Sequence, residues 1–166
     1  DRQQLLASIG ELMTGLIPRW RALAARGQVE LSSTPQTHPL SPLLLDFRVA
    51  RESLPDAPLP FAAAYPGGRS RVVAQIDAAR TSHARRFGAP PTGMWPAEGA
   101  VSEDFVKHLA AANCHWIASG EGVLNNSLAA SGIADPHAAY HPWRLETAPG
   151  LTLFFRDERL SDLIGF

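Results

Sequence analysis

Acidic residues and one histidine recur within or just after short apolar runs of this 166-residue chain. Carboxylates and histidines are the groups that enzymes use for nucleophilic attack and proton transfer. Short apolar runs are typical of buried strands, and active sites of α/β folds collect where parallel strands end. We therefore expect a site at that edge of a sheet, formed from Glu30, His38, Glu98, Glu121 and Asp157.

The segment GMWPAEGAV, residues 93 to 101, places an aromatic ring beside one of these acids. Trp95 precedes Glu98 by three residues, Trp116 lies in a later apolar run, and Arg156 adjoins Asp157. Sugar rings have apolar C–H faces that stack on aromatic side chains and hydroxyl groups that bind carboxylates. The combination favours a carbohydrate site.

Each of these residues also has an ordinary structural explanation. Glu98 and Glu121 precede helical runs, where acids stabilise the helix dipole. His38 could bond only to the backbone of its loop, and Trp95 could fill the core. Asp157 could belong to an exposed cluster of ion pairs, which adds little stability. Taken singly, none of these residues identifies a function.

The elements that would position these residues alternate between helix and strand. Residues 4–26 have helical periodicity, with Pro18 expected to break or kink the helix and Gly27 to end it. Residues 46–68 contain prolines at positions 55, 58, 60 and 66, which predict an irregular excursion. The remaining predictions are strands at 28–33, 114–120 and 151–157, and helices at 69–88, 102–113 (N-capped by Ser102) and 121–132. Residues 92–95 are a further strand candidate, too short to assign from their pattern alone. This order predicts one α/β domain, residues 1–166, with a mostly parallel sheet.

Composition narrows the classes of partner. A net charge of −1 gives no basic surface for a nucleic acid. We find no leader and no apolar run long enough to cross a membrane, so we expect a soluble protein without membrane contact. Cys114 is the single cysteine and cannot form an intramolecular disulfide, which favours a cytoplasmic location. His38 has no histidine companion at ligand spacing, so we expect neither a metal nor a cofactor.

Four segments, in order, resemble glycoside hydrolase family 57, in particular its bacterial α-amylase/amylopullulanase-like branch. They are ELSSTPQTHPLSPLL from Glu30, GMWPAEGAVSEDF from Gly93, WIASGEGVL from Trp116 and FFRDERLSDLIGF from Phe154. The resemblance implies a central portion of a distorted (β/α)7 barrel, incomplete in this chain, that acts on α-glucans with retention. It also implies that Glu98 is the nucleophile.

The resemblance leaves the second catalytic group open. In this branch the acid/base Asp lies in a later motif, beyond Phe166, and Asp157 would then be a wall of the site; otherwise Asp157 is the acid/base itself. Glu30, His38, Trp95, Trp116 and Arg156 are expected to bind the α-glucan or maltooligosaccharide.

Two other classes of function remain open on the sequence. One is a carbohydrate-binding or structural remnant without turnover, and the weaker one is a metal-dependent polysaccharide deacetylase, which needs a cluster of His and Asp ligands. An incomplete barrel also has open sheet edges, through which the chain could associate with itself.

Overall fold

The structure is a computed structural model that describes residues 1–62 and 64–165. It consists of short parallel strands with helices between and around them. The helices are α1 (Arg2–Ala25), α2 (Ser41–Leu45), α3 (Ala50–Ser53), α4 (Gly68–Phe87), α5 (Glu103–Ala111), α6 (Glu121–Ala130) and α7 (Glu158–Gly165). The strands are β1 (Gly93–Met94), β2 (Trp116–Gly120) and β3 (Thr152–Arg156).

The three strands form one parallel sheet in the order β1-β2-β3. Trp116 pairs with Gly93 on one side and Thr152 on the other, and Gly120 at the other end of β2 pairs with Arg156. All three strands therefore begin at one edge, here called the amino edge, and finish at the opposite carboxyl edge. The predicted parallel α/β arrangement is confirmed.

The main core joins this sheet to α4 and α5. Val72 and Ile76 of α4 and Phe105 and Leu109 of α5 are buried, and both pairs are four residues apart. This spacing places each pair on one helix face. They form one cluster with strand residues that include Met94, Ile117 and Leu153. Burial of this cluster holds the strand ends, and hence the loops after them, in place.

Helix α1 runs through Pro18, so the break that the sequence allowed there does not occur. Thr14, whose carbonyl loses its helical partner at Pro18, is exposed, so water can replace the missing donor. The helix ends close to Gly27, as expected, and Gly27 has a φ of +70°. None of the described helices combines the length and the hydropathy that a membrane span requires.

The strand predicted at residues 28–33 is reduced to one bridge, between Ser33 and Met94. The residues beside its earlier part would be Pro90 and Pro91, which precede Thr92 and β1. Proline has no N–H to donate to a ladder. The pairing therefore begins only beyond these two prolines.

The predicted excursion at 46–68 contains a 3₁₀ turn, Phe47–Val49, followed by α3. Its remaining described residues before α4 form no helix or strand, and Ala63 lies outside the described residues. Helix α5 begins after Ser102, whose hydroxyl accepts the Phe105 amide at 3.4 Å, as the predicted cap requires. Helix α7 was not predicted from the sequence.

Candidate active site

Glu98 lies four residues beyond β1, at the centre of a tight turn, Ala97–Gly99, and has non-helical backbone angles. The side chain of Glu98 is 74% exposed, whereas both neighbours in the turn are buried. The backbone φ is +55° at Glu98 and +65° at Gly99. The left-handed conformation is uncommon for a residue other than glycine and costs roughly 1–3 kcal/mol. A strained turn therefore presents this carboxylate to solvent at the carboxyl edge.

The turn is held by hydrogen bonds on both sides of Glu98. The Gly99 amide donates to the Pro96 carbonyl at 2.9 Å, and the Ala100 amide donates to the Ala97 carbonyl at 3.0 Å. The buried hydroxyl of Ser119, in β2, donates to the Gly99 carbonyl at 2.6 Å. A Cβ atom at Gly99 would make only ordinary contacts, 3.5 Å from the Cα of Ser119, but a side chain there would be strained by the positive φ. The backbone conformation therefore favours glycine after Glu98.

His38 is brought to Glu98 from a segment sixty residues earlier. Its Nε2 atom lies 3.1 Å from Glu98 Oε1, and its Nδ1 atom lies 3.3 Å from the Thr34 hydroxyl. An ionised carboxylate only accepts hydrogen bonds, so Nε2 carries the proton that it donates to Glu98. In the neutral ring Nδ1 is then the acceptor, and the Thr34 hydroxyl donates to it. The Thr34 hydroxyl can donate or accept, so it is compatible with this tautomer, and the carboxylate of Glu98 is the group that favours it.

The loop that carries His38 is fixed to β1 and α4. The Trp95 amide donates to the Ser33 carbonyl at 2.7 Å. The Gln75 amide group donates to the Thr37 hydroxyl at 3.1 Å. Thr37 and His38 both have positive φ, at 68° and 53°. Sequence reasoning missed Thr34 and Gln75; a hydroxyl four residues before His38 was the available signal for the first.

Trp95 and Arg156 also meet at the carboxyl edge. The guanidinium carbon of Arg156 lies 5.8 Å from the centre of the Trp95 ring, within cation–π range. Trp95 follows β1 directly and Arg156 is the last residue of β3. The Trp95 ring, which is expected to stack on a sugar, therefore also lies against the guanidinium group of Arg156. Their expected role in substrate binding stays a prediction.

Asp157 follows β3 at the same edge as Glu98. Its Oδ1 accepts the Leu160 amide at 2.8 Å and so caps α7. The carboxylate of Glu158 packs against Gly120. A Cβ atom at position 120 would clash with that carboxylate. Glu121 is the first residue of α6 and has the helix-start position expected of a dipole-stabilising acid.

Glu30 and Trp116 are not at the carboxyl edge, contrary to the expectation that they would join Glu98 there. Trp116 begins β2, and its indole N–H donates to Glu30 Oε1 at 2.5 Å. Thr92, just before β1, donates to the same oxygen. These two bonds, first from Thr92 and then from Trp116, lower the pKa of Glu30. Trp116 is four residues from the end of its strand, roughly 13 Å at 3.3 Å per residue.

Among residues 1–62 and 64–165, no three His, Cys, Asp or Glu side chains are grouped so that they could hold a metal ion. At the carboxyl edge, one oxygen of Glu98 is bonded to His38, and the other has no hydrogen-bond partner among the described residues. A carboxylate with one held and one free oxygen can attack an electrophilic carbon or bind a hydroxyl group.

Solved structures of three enzymes share the fold of this chain. The α-amylase AmyC from Thermotoga maritima gives a TM-score of 0.66 at 17% identity, covering 98% of this chain and 26% of that one. The 4-α-glucanotransferase from Thermococcus litoralis gives 0.61 at 21% identity, covering 98% and 21%. The GH57-type branching enzyme from Pyrococcus horikoshii gives 0.63 at 15% identity, covering 99% and 28%. No curated protein matches the chain by sequence.

The chain thus spans about a quarter of the length of the solved structures that it resembles. The likeness runs through nearly the whole chain and confirms the predicted fold, part of a (β/α)7 barrel with a parallel sheet. The sequence model of Glycosyl hydrolase family 57 matches residues 3–166, and the chain therefore belongs to that family.

Proposed function

We propose that Glu98 is the nucleophile of a retaining glycoside hydrolase or transglycosylase that acts on α-glucans. The observation that carries the proposal is an exposed carboxylate on a strained turn at the carboxyl edge, with His38 Nε2 at 3.1 Å from one of its oxygens. Backbone strain persists where surrounding contacts maintain it, and it clusters at functional sites. A surface acid at a helix start would not need this conformation.

The proposed reaction is a double displacement. Glu98 Oε2, the oxygen not held by His38, attacks the anomeric carbon, and the bond from that carbon to the leaving oxygen breaks. A second carboxylic acid gives its proton to the leaving oxygen. Water or a sugar hydroxyl then attacks the glycosyl-enzyme, loses a proton to the same residue and releases Glu98. In a retaining site the two carboxyl groups are about 5–5.5 Å apart.

We propose that the second carboxylic acid is not Asp157 and that Asp157 forms a wall of the site. Its engagement as the cap of α7 supports this assignment. Proton delivery to the leaving group contributes about 10²–10⁴-fold in rate. We therefore expect this chain alone to release no measurable reducing ends from maltooligosaccharides, and to gain activity when the rest of the catalytic domain is present.

The substrate class is supported by the three related enzymes, whose names are those of an α-amylase, a glucanotransferase and a branching enzyme. Motif resemblance supports the bacterial α-amylase/amylopullulanase-like branch as the finer placement. We also propose a cytoplasmic location, which the single, buried, free thiol of Cys114 supports.

Covalent labelling tests the nucleophile directly in the protein that carries this chain. An α-glucosyl fluoride with a 2-fluoro substituent loses fluoride without needing a proton and forms a slowly hydrolysed ester. Mass spectrometry should find the sugar on Glu98 and no adduct in the Glu98→Gln variant. Saturable maltooligosaccharide binding without any adduct would instead establish the carbohydrate-binding alternative.

A further inference from the structure

We infer that Ser119 is a positioning residue for Glu98, acting through the carbonyl of Gly99. The inference rests on the proposed function of Glu98 and extends it to a residue that does not touch the substrate. Ser119 lies in the interior of β2, and its hydroxyl crosses to the turn that presents the carboxylate. It links the rigid part of the sheet to the strained part of the site.

The anchor is fully enclosed. Ser119 has 0% exposure and pairs with Phe155 of β3 in the parallel ladder. Its hydroxyl donates to the Gly99 carbonyl at 2.6 Å, and Gly99 is itself buried. Without this donor, water could not reach the carbonyl unless the turn moved. A buried carbonyl left without a donor is strongly unfavourable, so the turn would shift.

The turn needs an external anchor because its internal bonds determine only its shape. The bonds from the Gly99 amide to the Pro96 carbonyl and from the Ala100 amide to the Ala97 carbonyl close the turn on itself. The Ser119 bond instead sets the position of the turn relative to β2. Two successive left-handed residues, Glu98 and Gly99, make a relaxed alternative conformation available once this bond is lost.

Displacement of the turn would move the attacking oxygen. A misplacement of about 1 Å costs on the order of 10²-fold in rate when two groups must react in a near-attack geometry. Binding of the sugar depends on many contacts and is much less sensitive. We therefore expect Ser119→Ala to slow the formation of the glycosyl-enzyme roughly 10- to 100-fold with little change in affinity.

The experiment compares labelling rates by the 2-fluoro α-glucosyl fluoride across three variants of the protein that carries this chain. Ser119→Ala removes the donor, and Ser119→Cys keeps a similar shape with a weak donor. Ser102→Ala is the matched control, because Ser102 is 8% exposed and its hydroxyl bonds the Phe105 amide and not the turn. Slow labelling in both Ser119 variants at unchanged affinity, with normal labelling in Ser102→Ala, would support the inference.

Two outcomes of the labelling experiment would overturn the inference. Ser119→Ala labelled at the wild-type rate removes the positioning role while leaving Glu98 as nucleophile. A wild-type protein that is never labelled would remove the proposed function itself, and the inference with it. Slow labelling in Ser119→Ala with normal labelling in Ser119→Cys would still support the inference, because the thiol remains a weak donor.

Amide hydrogen exchange gives a second readout that does not depend on activity. If Ser119 anchors the turn, Ser119→Ala should raise exchange in the peptide that contains residues 97–101 and not in Ser102→Ala. Unchanged exchange in that peptide would show that the turn keeps its place without the hydroxyl, which also contradicts the inference.

Discussion

Two glutamates at opposite edges of the same sheet have opposite environments. Glu30, at the amino edge, accepts hydrogen bonds from both Thr92 and Trp116 on one oxygen, and its backbone lies outside the helices and strands. Glu98, at the carboxyl edge, bonds among the described residues only to His38 and lies in a left-handed turn. Both side chains are accessible to solvent, so exposure alone does not separate them.

The difference lies in what each carboxylate stabilises. The Thr92 hydroxyl and the Trp116 indole N–H tie Glu30 to the starts of β1 and β2, so this carboxylate joins segments of the fold. The fold instead accepts strain at Glu98, and the bond to His38 leaves one oxygen available. In α/β folds the amino edge commonly serves stability and the carboxyl edge serves chemistry.

The sharpest test of this comparison replaces each glutamate by glutamine in the protein that carries the chain. Glutamine keeps size and much of the hydrogen bonding but is not a nucleophile. We expect Glu98→Gln to lower kcat by several orders of magnitude while glucan binding persists. Glu30→Gln is the matched control and should leave kcat within about threefold. Steady-state kinetics and calorimetric binding give both values.

A Glu98→Gln variant that retained a tenth of the normal turnover would rule out the nucleophile role. A comparable loss from Glu30→Gln would instead show that the two edges are not functionally distinct.

The next largest effect is expected at the partner of Glu98. Removing a hydrogen bond to a charged group costs about 1.5–3 kcal/mol, which corresponds to roughly 10- to 100-fold in rate. His38→Ala should therefore lower kcat by about that factor. Thr34→Val, which removes the hydroxyl bonded to His38 Nδ1 but keeps the shape, should give a smaller loss in the same direction. A normal rate in His38→Ala would show that the 3.1 Å contact does not orient the carboxylate.

Asp157 separates the chemical and the capping roles of an acid at the carboxyl edge. Asparagine caps helices about as well as aspartate, whereas alanine costs about 1 kcal/mol. We expect Asp157→Asn to retain kcat within about threefold and Asp157→Ala to lower the free energy of unfolding by about 1 kcal/mol. A loss of kcat by 10²-fold or more in Asp157→Asn would identify Asp157 as the acid/base.

The smallest expected effect is the pH dependence of stability at the amino edge. Because bonds from Thr92 and Trp116 lower the pKa of Glu30 in the folded chain, its ionised form stabilises the fold above the pKa of the unfolded chain. This contribution is lost as the pH falls from about 4.5 through the folded pKa. Since Glu30 is exposed, it should stay below about 1 kcal/mol.

Denaturant titrations of wild type and Glu30→Gln at neutral and acidic pH measure the contribution of ionised Glu30 to the free energy of unfolding. The gap in unfolding free energy between them should be present at pH 7 and close in acid. A gap that stayed constant with pH would show that the bonds to Glu30 do not depend on its charge.

The sequence predicted most of the elements because their signals are local. Apolar spacing marked α4 and α5, Ser102 marked the start of α5, and apolar runs marked β2 and β3. Helix α7 follows β3 after the single residue Asp157, and no element was predicted there. The absence of a break at Pro18 depends on the exposure of Thr14, which cannot be read from local sequence.

The sequence by itself determined the family motifs, the parallel α/β order and the placement of Glu98 and Asp157 after strands. Only the tertiary structure decided which polar groups meet. It joined His38 to Glu98 across sixty residues and Ser119 to Gly99 across twenty, and it put Glu30 with Trp116 at the other edge. Strand signals identify a segment but not its register. The register depends on the two prolines beyond which the pairing begins and on the burial of Met94 and Ile117 in the core.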